Sequence, residues 1–178
     1  ELSSDIPEQV HEFIAAIAER SQKLLGLVDD LFELSNIEMG KVAISQSSVS
    51  LPEVVRGAVE KARSGADRKG LDIQFAVHHS DLVVLGESRR IAQVFDNLLS
   101  NAVKFTETGS IKVSIKTRGE FALVEVEDTG VGISKDYLGN LFDAFSQEED
   151  WRNRKYEGTG LGLALARRLV ELMHGHIE

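Results

Sequence analysis

The first forty residues carry the pattern that most restricts the fold. Val10, Ile17, Leu24 and Leu31 recur every seven residues, and Phe13, Leu27 and Leu34 follow three further on. Arg20 interrupts the second row, while Ile14, Leu25, Val28 and Phe32 widen the apolar stripe. This spacing predicts one long helix from Pro7 to about Met39, started with help from Asp5 and ended by Gly40. A stripe so broad suits a helical bundle better than a two-stranded coil, and a bundle needs partner helices. A helix packed on its own domain is the plainer alternative.

After Gly40 the pattern changes to short mixed elements. Val42–Ser45 reads as a short strand. Ser50-Leu51-Pro52-Glu53 has capping-box spacing and opens an amphipathic helix reaching about Arg68. Strands are expected at Leu71–Val77, Leu82–Leu85, Ser110–Thr117 and Phe121–Glu127, the last two joined by a turn at Arg118-Gly119-Glu120. Helices are expected at Ser88–Lys104, from Ser134 to about Phe142, and at Thr159–Met173. The polar stretch Ser146–Glu157 lacks periodicity and reads as a mobile loop. The expected class is α+β, a two-layer sandwich with helices on one face of a sheet, preceded by the long bundle helix.

Composition narrows the chemistry. The formal net charge of −9 disfavours a general nucleic-acid binder, which needs a basic face for phosphates. The chain has no cysteine, so disulfides, thiolate metal sites and cysteine nucleophiles are excluded, in keeping with a reducing compartment. No run approaches the roughly 18 apolar residues of a membrane span, and no basic-then-apolar leader precedes the first helix. The expected location is cytoplasmic, with any membrane attachment made through an upstream region.

Three clusters can carry chemistry. Asn97, Asn101 and Lys104 fall at i, i+4 and i+7 and share one helix face, two amide oxygens beside a cation. An amide oxygen can complete the octahedral shell of magnesium, and an ammonium can meet a phosphate. A solvated polar face accounts for the same residues. Asp128-Thr129-Gly130-Val131-Gly132-Ile133 directly follows a strand. Its glycines let backbone approach a flat ligand, and its carboxylate can accept from the amino group of adenine, where guanine offers a carbonyl. A tight turn led by an aspartate is the alternative. Gly158-Thr159-Gly160-Leu161-Gly162 opens a helix whose free N–H groups can bind an anion. A charged loop precedes it instead of a strand, which argues against a dinucleotide fold. Upstream, Arg152, Arg154 and Lys155 can fold over a triphosphate or remain a solvated charge run.

The order of these clusters is more specific than any one of them. Asn97…Asn101-Ala102-Val103-Lys104-Phe105-Thr106, Asp128–Ile133, Leu141-Phe142-Asp143-Ala144-Phe145 and Gly158–Leu163 resemble the N, first glycine, phenylalanine and second glycine boxes of sensor histidine kinases. These belong to the GHKL superfamily of ATPases and kinases. Leu31–Lys41 is similar to the end of that family's second dimerisation helix and its linker. Gly86-Glu87-Ser88-Arg89-Arg90-Ile91 resembles the lead-in to the N box, with Glu87 where aspartate is commoner.

The resemblance implies a division into residues 1–40, the partial C-terminal helix of a dimerisation and histidine phosphotransfer domain, and residues 41–178, a catalytic ATP-binding domain. It implies ATP and Mg²⁺ as cofactors, with Asn101 on the metal, Asn97 supporting it and Lys104 on phosphate oxygens. Phe105 would wall the adenine pocket and Asp128 would bind its amino group, with Gly130, Gly132 and Ile133 close to the nucleotide. Arg154, Lys155 and Tyr156 would belong to an ATP lid over Ser146–Glu157. Gly158, Thr159, Gly160, Leu161 and Gly162 would hinge that lid and present N–H groups. Phe142 and Phe145 would anchor it.

Implied partners are a second copy through the N-terminal helix and the receiver domain of a response regulator, with no nucleic acid. The implied activity is transfer of the γ-phosphate to a histidine, for relay to a response-regulator aspartate. Related gyrase and MutL ATPases place a glutamate base near the position of Asn97; an amide cannot take a proton from water, which disfavours hydrolysis. A hydrolysing clamp and a non-catalytic docking module are the competing classes. His11-Glu12 lacks the arginine and proline that follow the family's acceptor, and His78, His79, His174 and His176 lie in other regions. The acceptor is therefore expected upstream, and this fragment is not expected to phosphorylate itself.

Overall fold

The computed structural model describes residues 8–147 and 159–178. Helix α1 spans Glu8–Glu38. Gly40 ends it with a left-handed backbone, φ 65°, that returns the Gly40 and Lys41 N–H groups to the carbonyls of Ile37 and Asn36. Most of its apolar stripe faces outward: Phe13, Ile17 and Leu24 are each more than 60 % exposed. Only the last turns pack, through Leu34 and Ile37.

Strand β1 is Ser47–Ser50, and Lys41–Gln46 is irregular, so the strand expected at Val42–Ser45 forms further along. The reason is pairing: Ser47–Ser50 runs antiparallel to β3, Val83–Gly86, and the Ser47 hydroxyl donates to the Gly86 carbonyl at 3.0 Å. Helix α2, Leu51–Lys69, follows at once. Ser50 stands at its N-cap in extended conformation but makes no side-chain cap bond. The expected capping-box bond to the Glu53 N–H therefore does not form; the Leu51 N–H donates to the Leu82 carbonyl at 3.1 Å, and Pro52 has no N–H to satisfy.

Strand β2, Asp72–Val77, runs parallel to β4, Ser110–Arg118, which pairs antiparallel with β5, Phe121–Asp128. Helix α3, Ser88–Phe105, lies between β3 and β4 in the chain, and helix α4 spans Gly162–Leu172. On β4, Ile111, Val113 and Ile115 are buried while Lys112 and Lys116 are exposed, so one face of the sheet is dry. Ile91, Phe95, Leu99 and Ala102 of α3, with Val55, Ala58, Val59 and Ala66 of α2, cover that face. The architecture is the expected α+β sandwich.

Two expected helices are shorter. Only a single 3₁₀ turn, Leu138–Asn140, forms after Ser134, whose carbonyl accepts from the Tyr137 and Leu138 N–H groups. Gly139 and Asn140 are poor helix formers, and nothing in that turn is buried to compensate. Helix α4 starts at Gly162, not Thr159, since Gly160 takes a left-handed φ of 69°.

A second apolar cluster joins α1 to this body. Ile37 packs with Val94 of α3 and Leu165, Ala166 and Leu169 of α4. Beside it Glu33 forms a largely buried ion pair with Arg90, and the Gln93 side-chain amide donates to Glu33 at 2.7 Å. Neither contact has a signal in the local sequence, because 57 or more residues separate the partners (Arg90 less Glu33).

Candidate functional site

Helix α3 presents its apolar residues to the sheet, which leaves Asn97, Asn101 and Lys104 half-buried on another face. The Asn97 amide donates to the Gly162 carbonyl at 3.1 Å, tying α3 to the start of α4. A Cβ on Gly162 would sit 3.4 Å from Asn97 Oδ1, in ordinary contact with it. The bond uses the amide nitrogen and leaves Oδ1 as an acceptor. Lys104 Nζ lies 4.5 Å from the centre of the Phe105 ring. Burial holds the Lys104 ammonium below the usual lysine range, so the cation is short of solvation and suited to meet an anion.

The end of α3 meets the loop after β5. Asp128 closes β5, and the following residue is fixed by the Thr129 N–H donating to the Ser110 carbonyl at 3.2 Å. One carboxylate oxygen of Asp128 accepts from the Gly130 N–H at 2.8 Å and from the Thr106 hydroxyl at 3.4 Å. Thr106 is fully buried, the one buried polar side chain among the described residues. The Val131 N–H donates to the Phe105 carbonyl at 3.4 Å. A Cβ on Gly130 would lie 2.6 Å from both that carbonyl oxygen and Asp128 Oδ1. Only glycine fits there, and Gly132 turns left-handed at φ 72°. Asp128 and Ile133 remain exposed at the mouth of this loop.

The glycine run before α4 adopts a turn. Thr159 accepts from the Leu161 N–H through its hydroxyl at 3.2 Å. Leu161 is 1 % exposed, so it belongs to the core. The first helical bond runs from the Leu165 N–H to the Leu161 carbonyl, which leaves the N–H groups of Gly162, Leu163 and Ala164 without partners inside the helix. The Phe145 N–H donates to the Gly160 carbonyl at 3.0 Å, joining the two flanks of the segment between them. Phe142 is half-buried with the Arg167 guanidinium over its ring at 5.6 Å, whereas Phe145 is 63 % exposed. Of the two phenylalanines, Phe142 is partly packed and the Phe145 side chain stands outward. Arg154, Lys155, Tyr156 and Gly158 lie outside the described residues.

Sequence reasoning thus anticipated the three clusters and gave no role to Thr106 or Lys69. A buried threonine beside a carboxylate shows no periodicity of its own, and Lys69 is one more charge at a helix end. The structure joins the clusters pairwise: the α3 terminus with the Asp128 loop, and Asn97 with the glycine run.

Residues 86–178, more than half of the chain, match the family described as histidine kinase-, DNA gyrase B-, and HSP90-like ATPase. The chain belongs to this family. The circadian input-output histidine kinase CikA of Synechococcus elongatus is 39 % identical over 178 residues, covering 97 % of this chain and 23 % of its own length. The sensor histidine kinase RcsC of Escherichia coli is 34 % identical over 177 residues, covering 99 % of this chain and 19 % of its own. Among solved structures, full-length ShkA in complex with AMPPNP matches with a TM-score of 0.82 and 28 % identity, over 96 % of this chain and 35 % of that one. The catalytic domain of the histidine kinase ThkA matches with a TM-score of 0.63 and 27 % identity, over 71 % of this chain and 82 % of that one. The chain therefore spans less than a quarter of the length of these two curated relatives. Among the described residues, no helix is long and apolar enough to cross a membrane.

Proposed function

We propose that this chain binds Mg-ATP and serves as the catalytic part of a two-component sensor kinase, phosphorylating a histidine for relay to a response-regulator aspartate. The reading rests on one observation: the end of α3 and the Asp128 loop are locked together around Gly130, beside a face bearing Asn97, Asn101 and Lys104. The donor set fits the group. Asn101 offers a neutral oxygen to a hard cation, Lys104 an under-solvated ammonium to phosphate, and Gly130 lets the Asp128 loop close against the end of α3. Bound Mg-ATP supplies the phosphoryl group and the charge neutralisation.

The residues of the chain do the rest by placement. Asp128, oriented by Gly130 and Thr106, holds the adenine amino group. Asn101 holds the metal and Asn97 braces the start of α4. Lys104, and Arg154 and Lys155 from the lid, stabilise the charge on the phosphates. Gly130, Gly132, Ile133, Tyr156, Gly158, Thr159, Gly160, the Leu161 backbone and Gly162 complete the nucleotide surface. Asn97 cannot serve as a base for water, which leaves the phosphoryl group to an imidazole nucleophile.

The acceptor in this reading is a histidine other than His11, His78, His79, His174 and His176. Residues 1–40 form the partial dimerisation helix and residues 41–178 the catalytic domain. The stripe on α1 pairs with a second copy, and a receiver domain is the downstream partner.

Calorimetry tests the core of this. Mg-ATP should bind, GTP should bind far more weakly, and Asn101→Ala should abolish magnesium-dependent binding while the fold persists. Equal affinity for ATP and GTP would sink the assignment of Asp128. Acid-labile label from γ-labelled ATP should appear on a separately supplied dimerisation domain and not on the chain alone.

A further inference from the structure

The helices of this fold end in different ways. Helix α2 closes as α1 does: Gly70 turns left-handed at φ 67°, and the Gly70 and Leu71 N–H groups return to the carbonyls of Asp67 and Ala66. Helix α3 has no such turn. Its cap, Thr106, is extended at φ −96° and returns only its own N–H, to the Ala102 carbonyl. The carbonyls beyond Ala102 are left for other donors.

Those donors come from α2. Lys69 Nζ donates to the carbonyls of Val103 at 2.7 Å, Lys104 at 2.9 Å and Thr106 at 3.1 Å. An ammonium has three protons, and three oxygens receive them. The remaining carbonyl in this stretch, that of Phe105, accepts from Val131 in the Asp128 loop. The terminus is therefore held from two sides, by Lys69 and by the loop. Lys69 is itself well placed for this, since the glycine turn at Gly70 fixes the backbone from which its side chain reaches.

We infer that Lys69 is a positioning residue for nucleotide binding: by holding the end of α3 it keeps the face of Asn101 and Lys104 in register with the Asp128 loop. The inference rests on the nucleotide reading above. Lys69 touches no ligand in this scheme and acts through the backbone of Val103, Lys104 and Thr106. Its positive charge also lies at the negative end of the α3 dipole, where a cation is favoured.

The experiment compares the parent chain, Lys69→Met and Lys69→Arg by Mg-ATP calorimetry and by amide NMR without nucleotide. Lys69→Met should weaken Mg-ATP binding by about tenfold. Lys69→Arg should fall between the two, because a planar guanidinium cannot bring three donors from one atom onto three converging oxygens. In nucleotide-free Lys69→Met the amides of Asn101, Phe105, Thr106, Gly130 and Val131 should shift, while those of Ile111, Val113 and Ile115 stay in place. A general loss of stability would move both sets. If Lys69→Met gives no folded spectrum, Lys69→Gln replaces it under the same criteria. A parent that binds Mg-ATP beside a variant within twofold of it overturns the inference alone. A parent that binds no Mg-ATP overturns the nucleotide reading and the inference with it.

Discussion

Helices α1 and α3 carry similar apolar stripes and meet opposite fates. On α3 the stripe of Ile91, Phe95, Leu99 and Ala102 is covered by α2 and the sheet, and Leu99 is 1 % exposed. On α1 the stripe of Phe13, Ile17, Leu24 and Leu31 has no cover among the described residues, and Leu24 is 62 % exposed. An amphipathic pattern specifies which face of a helix is to be buried; it does not specify by what. The difference separates the work of the two helices. One stabilises this chain, and the other leaves its apolar area open, which the proposed pairing with a second copy would cover.

The largest expected effect breaks the symmetry directly. Leu99→Ala should cost about 2–5 kcal/mol in denaturant unfolding, as buried leucines do. Leu24→Ala in the isolated monomer should stay within about 0.5 kcal/mol. Equal costs would mean that α1 is covered in solution by its own chain.

Next in size is that open area itself. Ile17→Lys combined with Leu24→Lys should weaken self-association by about 100-fold, read by sedimentation at several concentrations, since two large apolar side chains leave the interface. Unchanged association would remove the stripe from the proposed dimer.

A smaller effect sharpens the contrast within α3, whose polar face works against stability. Burial lowers the Lys104 pKa, so the folded chain holds that proton less tightly than the unfolded one. Stability therefore rises with pH as the solution approaches the ordinary lysine value of 10.5 from below. Lys104→Met should flatten that rise and leave the melting temperature equal or slightly higher, while Mg-ATP affinity falls by about tenfold. A clear loss of stability would show the ammonium to be structural.

The smallest effect concerns the docked end of α1. Burial, reinforced by Asp29, raises the pKa of Asp30 above 3.8. The folded state then binds the proton more tightly, so this contribution is full at low pH and is lost as pH rises through the raised value. Asp30→Asn should remove that dependence and slightly favour the folded state at neutral pH, an effect kept small by solvent screening. Thermal melts of both proteins at two pH values would show it; parallel pH dependence would refute it.

What could be read from sequence was whatever repeats within one element. The strand expected at Ser110–Thr117 and the helix expected at Ser88–Lys104 form within a residue of those bounds, because each is specified by its own residues. The helix end at Gly40 was legible too, because the chemistry that stops a helix sits beside the stop. Contacts between elements were not. Asn97 meets Gly162 across 65 residues, and Lys69 meets Val103 across 34. Ser50 had the right spacing for a capping box, yet its side chain makes no cap bond, while the Leu51 N–H is met from far along the chain by the Leu82 carbonyl. The strand near residue 45 moved because its partner, Val83–Gly86, set the register. The family resemblance supplied the proposed site residues; distance along the chain concealed which residues hold them.

The parallel pairing of β2 with β4 has a consequence in time as well as in space. Strands that run the same way cannot be joined by a tight turn, so the chain from Val77 to Ser110 must cross over before the pair can close. That crossover contains the whole of α3. The β4–β5 hairpin, turning at Gly119 with φ 63°, needs only neighbours along the chain and can zip early. In refolding, amides of β5 should gain protection before those of β2. Ligand affinity should return only with the second event, because the helix bearing Asn97, Asn101 and Lys104 lies within the segment that closes with it.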